Sequence, residues 1–197
     1  MIRRGMTELT GAPNQATAWN QLFQKGDVVG IKVNPNAIPS PISSPAVINE
    51  ILQGLLGAGV TRNDIVVCDR NSVQLKTIAG WLPSWVRLDA ASWEWSTDQT
   101  EVGGYNPNKM SGVSGYNPSY SVDCPKYLLP WQDAANPKYT RSYVAQFVTR
   151  VTKIISLSVL KDHQTAGVTL GLKNLCQECI TTVRLKVEQN QLVAGVE

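Results

Sequence analysis

Residues 42–70 read ISSPAVINEILQGLLGAGVTRNDIVVCDR, and within this stretch the hydrophobic pattern changes from helical to β. Ser44 is a favoured N-cap and Pro45 suits the first helical position. Val47, Ile48, Ile51, Leu52, Leu55 and Leu56 then recur at intervals of three and four, which makes one wide apolar face. Gly57 and Gly59 end the helix. The run NDIVVCD that follows, residues 63–69, is short, apolar and rich in β-branched side chains, as a buried strand is.

Working towards the N-terminus, KGDVVGIKVN (25–34) is a turn and then a β-rich run, Val28 to Val33. Strand, helix, strand over this length is a βαβ unit, which requires parallel pairing and a right-handed crossover. ATAWNQLF (16–23) has helical spacing, with Asn14 as its cap, and the proline-rich NPNAIPSPISS (34–44) is a loop. Working towards the C-terminus, SVQLKTIAG (72–80) predicts a short helix and WVRLDAASWEW (85–95) a weaker strand. Residues 96–139 are rich in Gly, Pro, Asn, Ser and Tyr, and read as a long loop-rich insertion. Within it GYNPN (104–108) and GYNPS (115–119) echo each other as turn signatures. YTRSYVAQFVTRV (139–151) carries helical spacing through Tyr143, Val144, Phe147, Val148 and Val151, and KIISLSVL (153–160) is a third strong strand. ITTVRLKV (180–187) alternates and QLVAGV (191–196) follows a polar turn, so a terminal hairpin is expected. The predicted fold is α/β: a mostly parallel sheet flanked by helices, with a C-terminal antiparallel hairpin, in one domain over residues 1–197.

The totals narrow the function classes. The chain has 197 residues, 43% of them hydrophobic and 17% charged, as an ordinary globular protein does. A net charge of +3, with no Lys/Arg run longer than a pair, argues against nucleic acid as partner. No stretch has the apolar length of a membrane span. Arg3-Arg4 begins like a twin-arginine export signal, but GMTELTGAPNQATAW supplies no apolar region after it, so export would need a longer precursor. The four cysteines, Cys68, Cys124, Cys176 and Cys179, do not form a disulfide framework in a chain this long, and Cys68 reads as a small buried residue. Cys176 and Cys179 form a C-x-x-C, half of the four-ligand set that a structural zinc needs, and too sparse for an iron–sulphur cluster.

In open α/β sheets ligands bind outside the carboxyl ends of the strands. Lys32 and Asn34 follow the first strand, Asp69 and Arg70 the second, and Lys161, Asp162 and His163 the third. These polar ends converge on one edge. His163, the only histidine, suits general acid–base work because its unperturbed pKa lies near neutrality. Asp69 is better placed to orient it than the adjacent Asp162. AGVTLGLK (166–173) would lead through a glycine turn into a helix N-terminus, which suits an anion. It lacks P-loop spacing.

Three blocks, GDVVGIKVNPN, then ISSPAVINEILQGLLGAGVTRNDIVVCDR, then SLSVLKDHQTAGVTLGLKNL, resemble in that order the bacterial family known as domain of unknown function 362. The likeness runs from about Thr7 to Leu175. It implies an α/β fold and a site more than an activity; members are often exported and sometimes fused to ferredoxin-like iron–sulphur modules. Residues His163 to Lys173 are also similar to a His/Gly/Lys segment of nickel-pincer lactate racemases. That likeness implies proton transfer for His163 and attachment of a cofactor or anion for Lys173, while the further histidines of such a site are absent. After GLKNL the sequence departs from the family pattern, so the chain is expected to be shortened at its C-terminus.

The expected site therefore has His163, Lys173 and Asp69 in catalytic roles. Lys32, Asn34, Lys161 and Asn174 would hold a small anionic ligand or a cofactor, whose identity stays open. Two alternatives stand beside this one. One is a self-assembling protein that keeps the fold without catalysis and pairs as a homo-oligomer through an exposed sheet edge. The other is a redox or iron–sulphur module with a metal at Cys176 and Cys179.

Overall fold

Four parallel strands make the central sheet of the computed structural model, which describes residues 2–36, 42–92, 116–123, 141–163, 167–171 and 174–175. They are β1 (Val29–Lys32), β2 (Ile65–Asn71), β3 (Arg87–Ser92) and β6 (Lys153–Ser156), in the order β3-β2-β1-β6. All three pairings are parallel, with Lys32 level with Cys68 on one side and Ser156 on the other. The chain thus steps from β1 to β2 to β3 in one direction, and later returns to the opposite side of β1. The boundary between β1 and β6 is a topological switch point.

Helices α1 (Ile2–Thr10) and α2 (Gln15–Leu22) precede β1, α3 (Pro45–Gly57) links β1 to β2, and α4 (Ser72–Ala79) links β2 to β3. The Asn14 side chain accepts from the Thr17 amide at 2.9 Å and caps α2, as expected. The end of α3 is a Schellman motif. The Val60 amide donates to the Leu55 carbonyl at 3.1 Å and the Gly59 amide to the Leu56 carbonyl at 3.0 Å. Gly59 has φ +88°, a conformation that favours glycine. Ile48, Ile51, Leu52 and Leu55 of α3 pack with Val29, Ile31, Ile65 and Val67 of the sheet and with Trp19 of α2 in the main core. Trp19 lies directly on Gly54: a Cβ there would come within 2.1 Å of the indole ring.

Two further pairs lie outside the central sheet. β4 (Tyr116–Asp123) pairs antiparallel with β5 (Arg141–Ala145), and β7 (Lys161–His163) pairs antiparallel with β8 (Gly167–Thr169). The antiparallel hairpin near the C-terminus is therefore β7–β8, and the hairpin expected at 180–196 lies outside the described residues. Residues 141–151 do not form the expected helix. They form β5 and then a 3₁₀ turn at Val148–Arg150. Burial there has period two, with Ala145 and Phe147 buried and Val144 and Gln146 less so, and pairing with β4 settles a sequence that fits both periods. The described part of the 96–139 insertion is the strand β4, with Pro118 in the register shift between Tyr116 and Ser121. α1 was not expected from sequence. Its Ile2 and Met6 pack against the main core, and its Arg3 donates to Glu50 at 2.8 Å.

The packing makes two predictions. Gly54→Ala should destabilise the protein by about 1–3 kcal/mol through overpacking against Trp19. Gly57→Ala, with nothing within 4 Å of its Cβ, should be neutral or stabilising by up to about 1 kcal/mol. Denaturant unfolding of both variants checks the pair, and an equal response at the two positions would contradict the packing. At the amino edge Lys153 donates to Asp27 at 2.8 Å and holds that carboxyl below the usual carboxylate range. Such a group contributes stability above its unfolded-state pKa and loses it as pH falls through the lowered folded-state value. The melting temperature of the native chain should therefore drop more steeply below about pH 4 than that of Asp27→Asn. Parallel acid limbs would refute this.

Candidate functional site

The buried polar side chains among the described residues are Asp27, Lys32, Asn34, Ser43, Asp69, Asn71, Ser72 and Asn174. All except Asp27 lie at the carboxyl end of the sheet or on the segments that leave it. β1 delivers Lys32 as its last residue, fully buried. Its ammonium donates to Asp69 Oδ1 of β2 at 2.6 Å, to Asn174 Oδ1 at 3.3 Å and to the Val33 carbonyl. Asp69 Oδ2 accepts from the Asn71 amide at 3.2 Å, and Asn71 in turn caps α4 through the amides of Val73 and Gln74. The ion pair is therefore locked to the strand-to-helix turn that follows β2.

Asn174 closes the network from the far end of the chain. Its Nδ2 donates to the Lys32 carbonyl at 3.2 Å and to Ser156 Oγ of β6 at 3.1 Å. Its own amide donates to the Leu170 carbonyl at 3.0 Å, a helical turn. A buried ammonium and carboxylate cost several kcal/mol each to dehydrate, and that cost is offset only when such further hydrogen bonds are in place.

Asn34 organises the second half of the site. Its amide donates to Ser43 Oγ at 2.8 Å, and its carbonyl accepts from the Ser43 amide at 3.0 Å. The two ends of the proline-rich loop are thereby joined directly before α3. The Ser43 hydroxyl donates on to the Leu157 carbonyl at 2.6 Å, just beyond β6. Lys161 of β7 donates to Asn34 Oδ1 at 3.0 Å and to the Asn36 carbonyl at 2.6 Å. Ser44 stands at the N-cap of α3 but makes no side-chain capping bond.

Five of the expected residues, Lys32, Asn34, Asp69, Lys161 and Asn174, thus meet at the switch point. Of the other strand-end residues, Arg70 is half-buried and Asp162 exposed. His163 ends β7, two residues after Lys161, but its side chain lies outside what is described. Lys173, Cys176 and Cys179 are also outside the described residues. Cys68 is buried, as expected. No group of three His, Cys, Asp or Glu side chains comes together as metal ligands among the described residues, and no helix among them is long and apolar enough to cross a membrane. Sequence reasoning missed Ser43, Asn71 and Ser156. The signal for Ser156 is a lone hydroxyl inside the apolar run KIISL, and Ser43 is hidden among prolines.

The family model described as domain of unknown function (DUF362) matches residues 29–191 of the chain. No curated protein and no solved structure matches it.

The pairing predicts a specific pattern of stabilities. Lys32→Met alone leaves a buried carboxylate uncompensated and should cost about 3–5 kcal/mol. The double variant Lys32→Met/Asp69→Leu should cost clearly less than the two single substitutions added together. Denaturant unfolding of the cycle measures this, and additive single-site costs would contradict a coupled pair.

Proposed function

This chain belongs to the family of domain of unknown function 362, and we propose that it binds a small anionic molecule at the carboxyl edge of its sheet, where β1 and β6 part. The observation that carries this reading is the double engagement of Asn34. Through Ser43 it sits against the start of α3, and through its side chain it holds the ammonium of Lys161. A 13-residue helix presents partial positive charge at its first turn, where Pro45 has no N–H and the amides of Ala46 and Val47 precede the first intrahelical bond, from the Ile48 amide to the Ser44 carbonyl. With a lysine ammonium beside it, that edge favours an anion over a cation or an apolar ligand.

The arrangement divides the work. Lys32, Asp69, Asn174 and Ser156 are satisfied by one another in the interior, and they fix where the strand ends stand. Lys161, Asn36 and the first turn of α3 form the more exposed rim that a ligand would touch. Only the rim needs to change partners when the ligand arrives, which keeps the reorganisation cost of binding low.

Inorganic phosphate is the probe for this reading, followed by amide and side-chain NMR. Resonances of Asn34, Asn36, Ser43, Ser44, Ala46, Val47 and Lys161 should shift together and saturate. Lys161→Ala should weaken binding by about tenfold or more, the worth of one charge-assisted hydrogen bond. Saturable shifts confined to other surface lysines, or identical affinity in the variant, would refute the assignment.

A further inference from the structure

Side-chain carboxamides gather around Lys161: those of Asn34, Asn36 and, through Asn36, Gln74. The Lys161 ammonium donates to Asn34 Oδ1 at 3.0 Å and to the Asn36 carbonyl at 2.6 Å, so the two asparagines flank one cation. An ammonium can only donate, so the Asn34 atom that faces it must be the oxygen. The Nδ2 of the same planar amide is turned away. Asn34 is only 3% exposed, yet its Nδ2 makes no hydrogen bond to any described residue. A donor this enclosed is costly to leave unmade, and it marks a position for an acceptor from outside the chain.

Gln74 reaches the same place from the first turn of α4. Its Nε2 donates to Asn36 Oδ1 at 3.5 Å, the long limit of a hydrogen bond. Asn36 is exposed and Gln74 half-buried. Asn36 Nδ2 and Gln74 Oε1 make no hydrogen bond to a described residue, so a donor and an acceptor stand on two amides in contact. The backbone amides of Val73 and Gln74 are already bound by Asn71 Oδ1, so α4 offers its Gln74 side chain here and not its terminus. Asp69 is committed to Lys32 and to the Asn71 amide, and Asp162 alternates to the other face of β7 from Lys161. The edge therefore sets neutral hydrogen-bonding groups around one ammonium.

We infer that the ligand of this edge is a phosphomonoester of a polyol and not a bare anion: Lys161 and Asn34 Nδ2 take the phosphate, and Asn36 and Gln74 take hydroxyls of the body. The inference rests on the anion reading given above and names its ligand class. The division follows from hydrogen-bonding capacity. A phosphate dianion only accepts, which matches the ammonium and the unpaired Asn34 Nδ2. A hydroxyl both donates and accepts, which suits the paired amides of Asn36 and Gln74. An alkyl body would strip those amides of water and satisfy neither.

Glycerol 3-phosphate and n-propyl phosphate test the inference, because they share a phosphate and a three-carbon chain and differ in their hydroxyls. In calorimetric titration of the full chain, glycerol 3-phosphate should bind at least about fivefold more tightly. Gln74→Met removes the amide but keeps the length and helix preference of the side chain, and it should cut that ratio to within about twofold. By NMR, the Asn34 side-chain NH2 should shift with both esters, and that of Gln74 with glycerol 3-phosphate alone. Equal affinity for the two esters, a preference that survives Gln74→Met, or an unmoved Asn34 NH2 at saturation would overturn the inference and leave the anion reading standing. Failure of both esters and of inorganic phosphate to bind would overturn the two together.

Discussion

The ion pair between Lys32 and Asp69 is the constraint on which the carboxyl edge depends. Neither group can be left alone in the interior, because an unpaired buried charge costs more than most core contacts supply. Each therefore recruits partners: Asn71 for the carboxylate, Asn174 for the ammonium, and through Asn174 the hydroxyl of Ser156. Those partners belong to β1, β2, β6, the turn into α4 and the segment after β8. One buried pair thus ties together elements up to 142 residues apart in sequence.

Such a pair is a poor device for stability, since apolar side chains of similar volume serve as well or better. The amino half of the strands illustrates this with Val29, Ile31, Ile65 and Val67 in the apolar core. On β2 the change from aliphatic core to polar network occurs along one face of a single strand, between Val67 and Asp69, while on β1 Lys32 joins the network from between the core residues Ile31 and Val33. It occurs on the side where ligands bind in sheets of this kind. The polar end is best understood as a scaffold. It holds the Asn34 loop, the start of α3 and Lys161 in one place, at some cost in stability.

The fold was legible wherever a local pattern had only one solution. Residues 42–70 could be read directly because the three-and-four spacing of α3 and the apolar run of β2 need no information from elsewhere. Lys32, Asn34, Asp69, Lys161 and Asn174 could be named because they follow strands or a glycine turn. Their mutual pairing could not be read, because nothing in the chain tells Lys32 that its partners lie at 69 and 174. Residues 141–151 show the opposite case. Their apolar positions fit a helix as well as a strand, and only the antiparallel partner β4 decides between them. Ser43 and Ser156 were hidden for a simpler reason: a single hydroxyl in a proline-rich or apolar string gives no pattern.

Anion binding at the Asn34 edge, the proposal made above, has a direct crystallographic test. Crystals of the protein soaked in selenate, a phosphate-sized anion with a strong anomalous signal, would locate it directly. The account predicts one selenium peak within hydrogen-bond reach of Lys161 Nζ and the first-turn amides of α3. Peaks only at other surface lysines, with the Asn34 edge empty at saturating selenate, would contradict it.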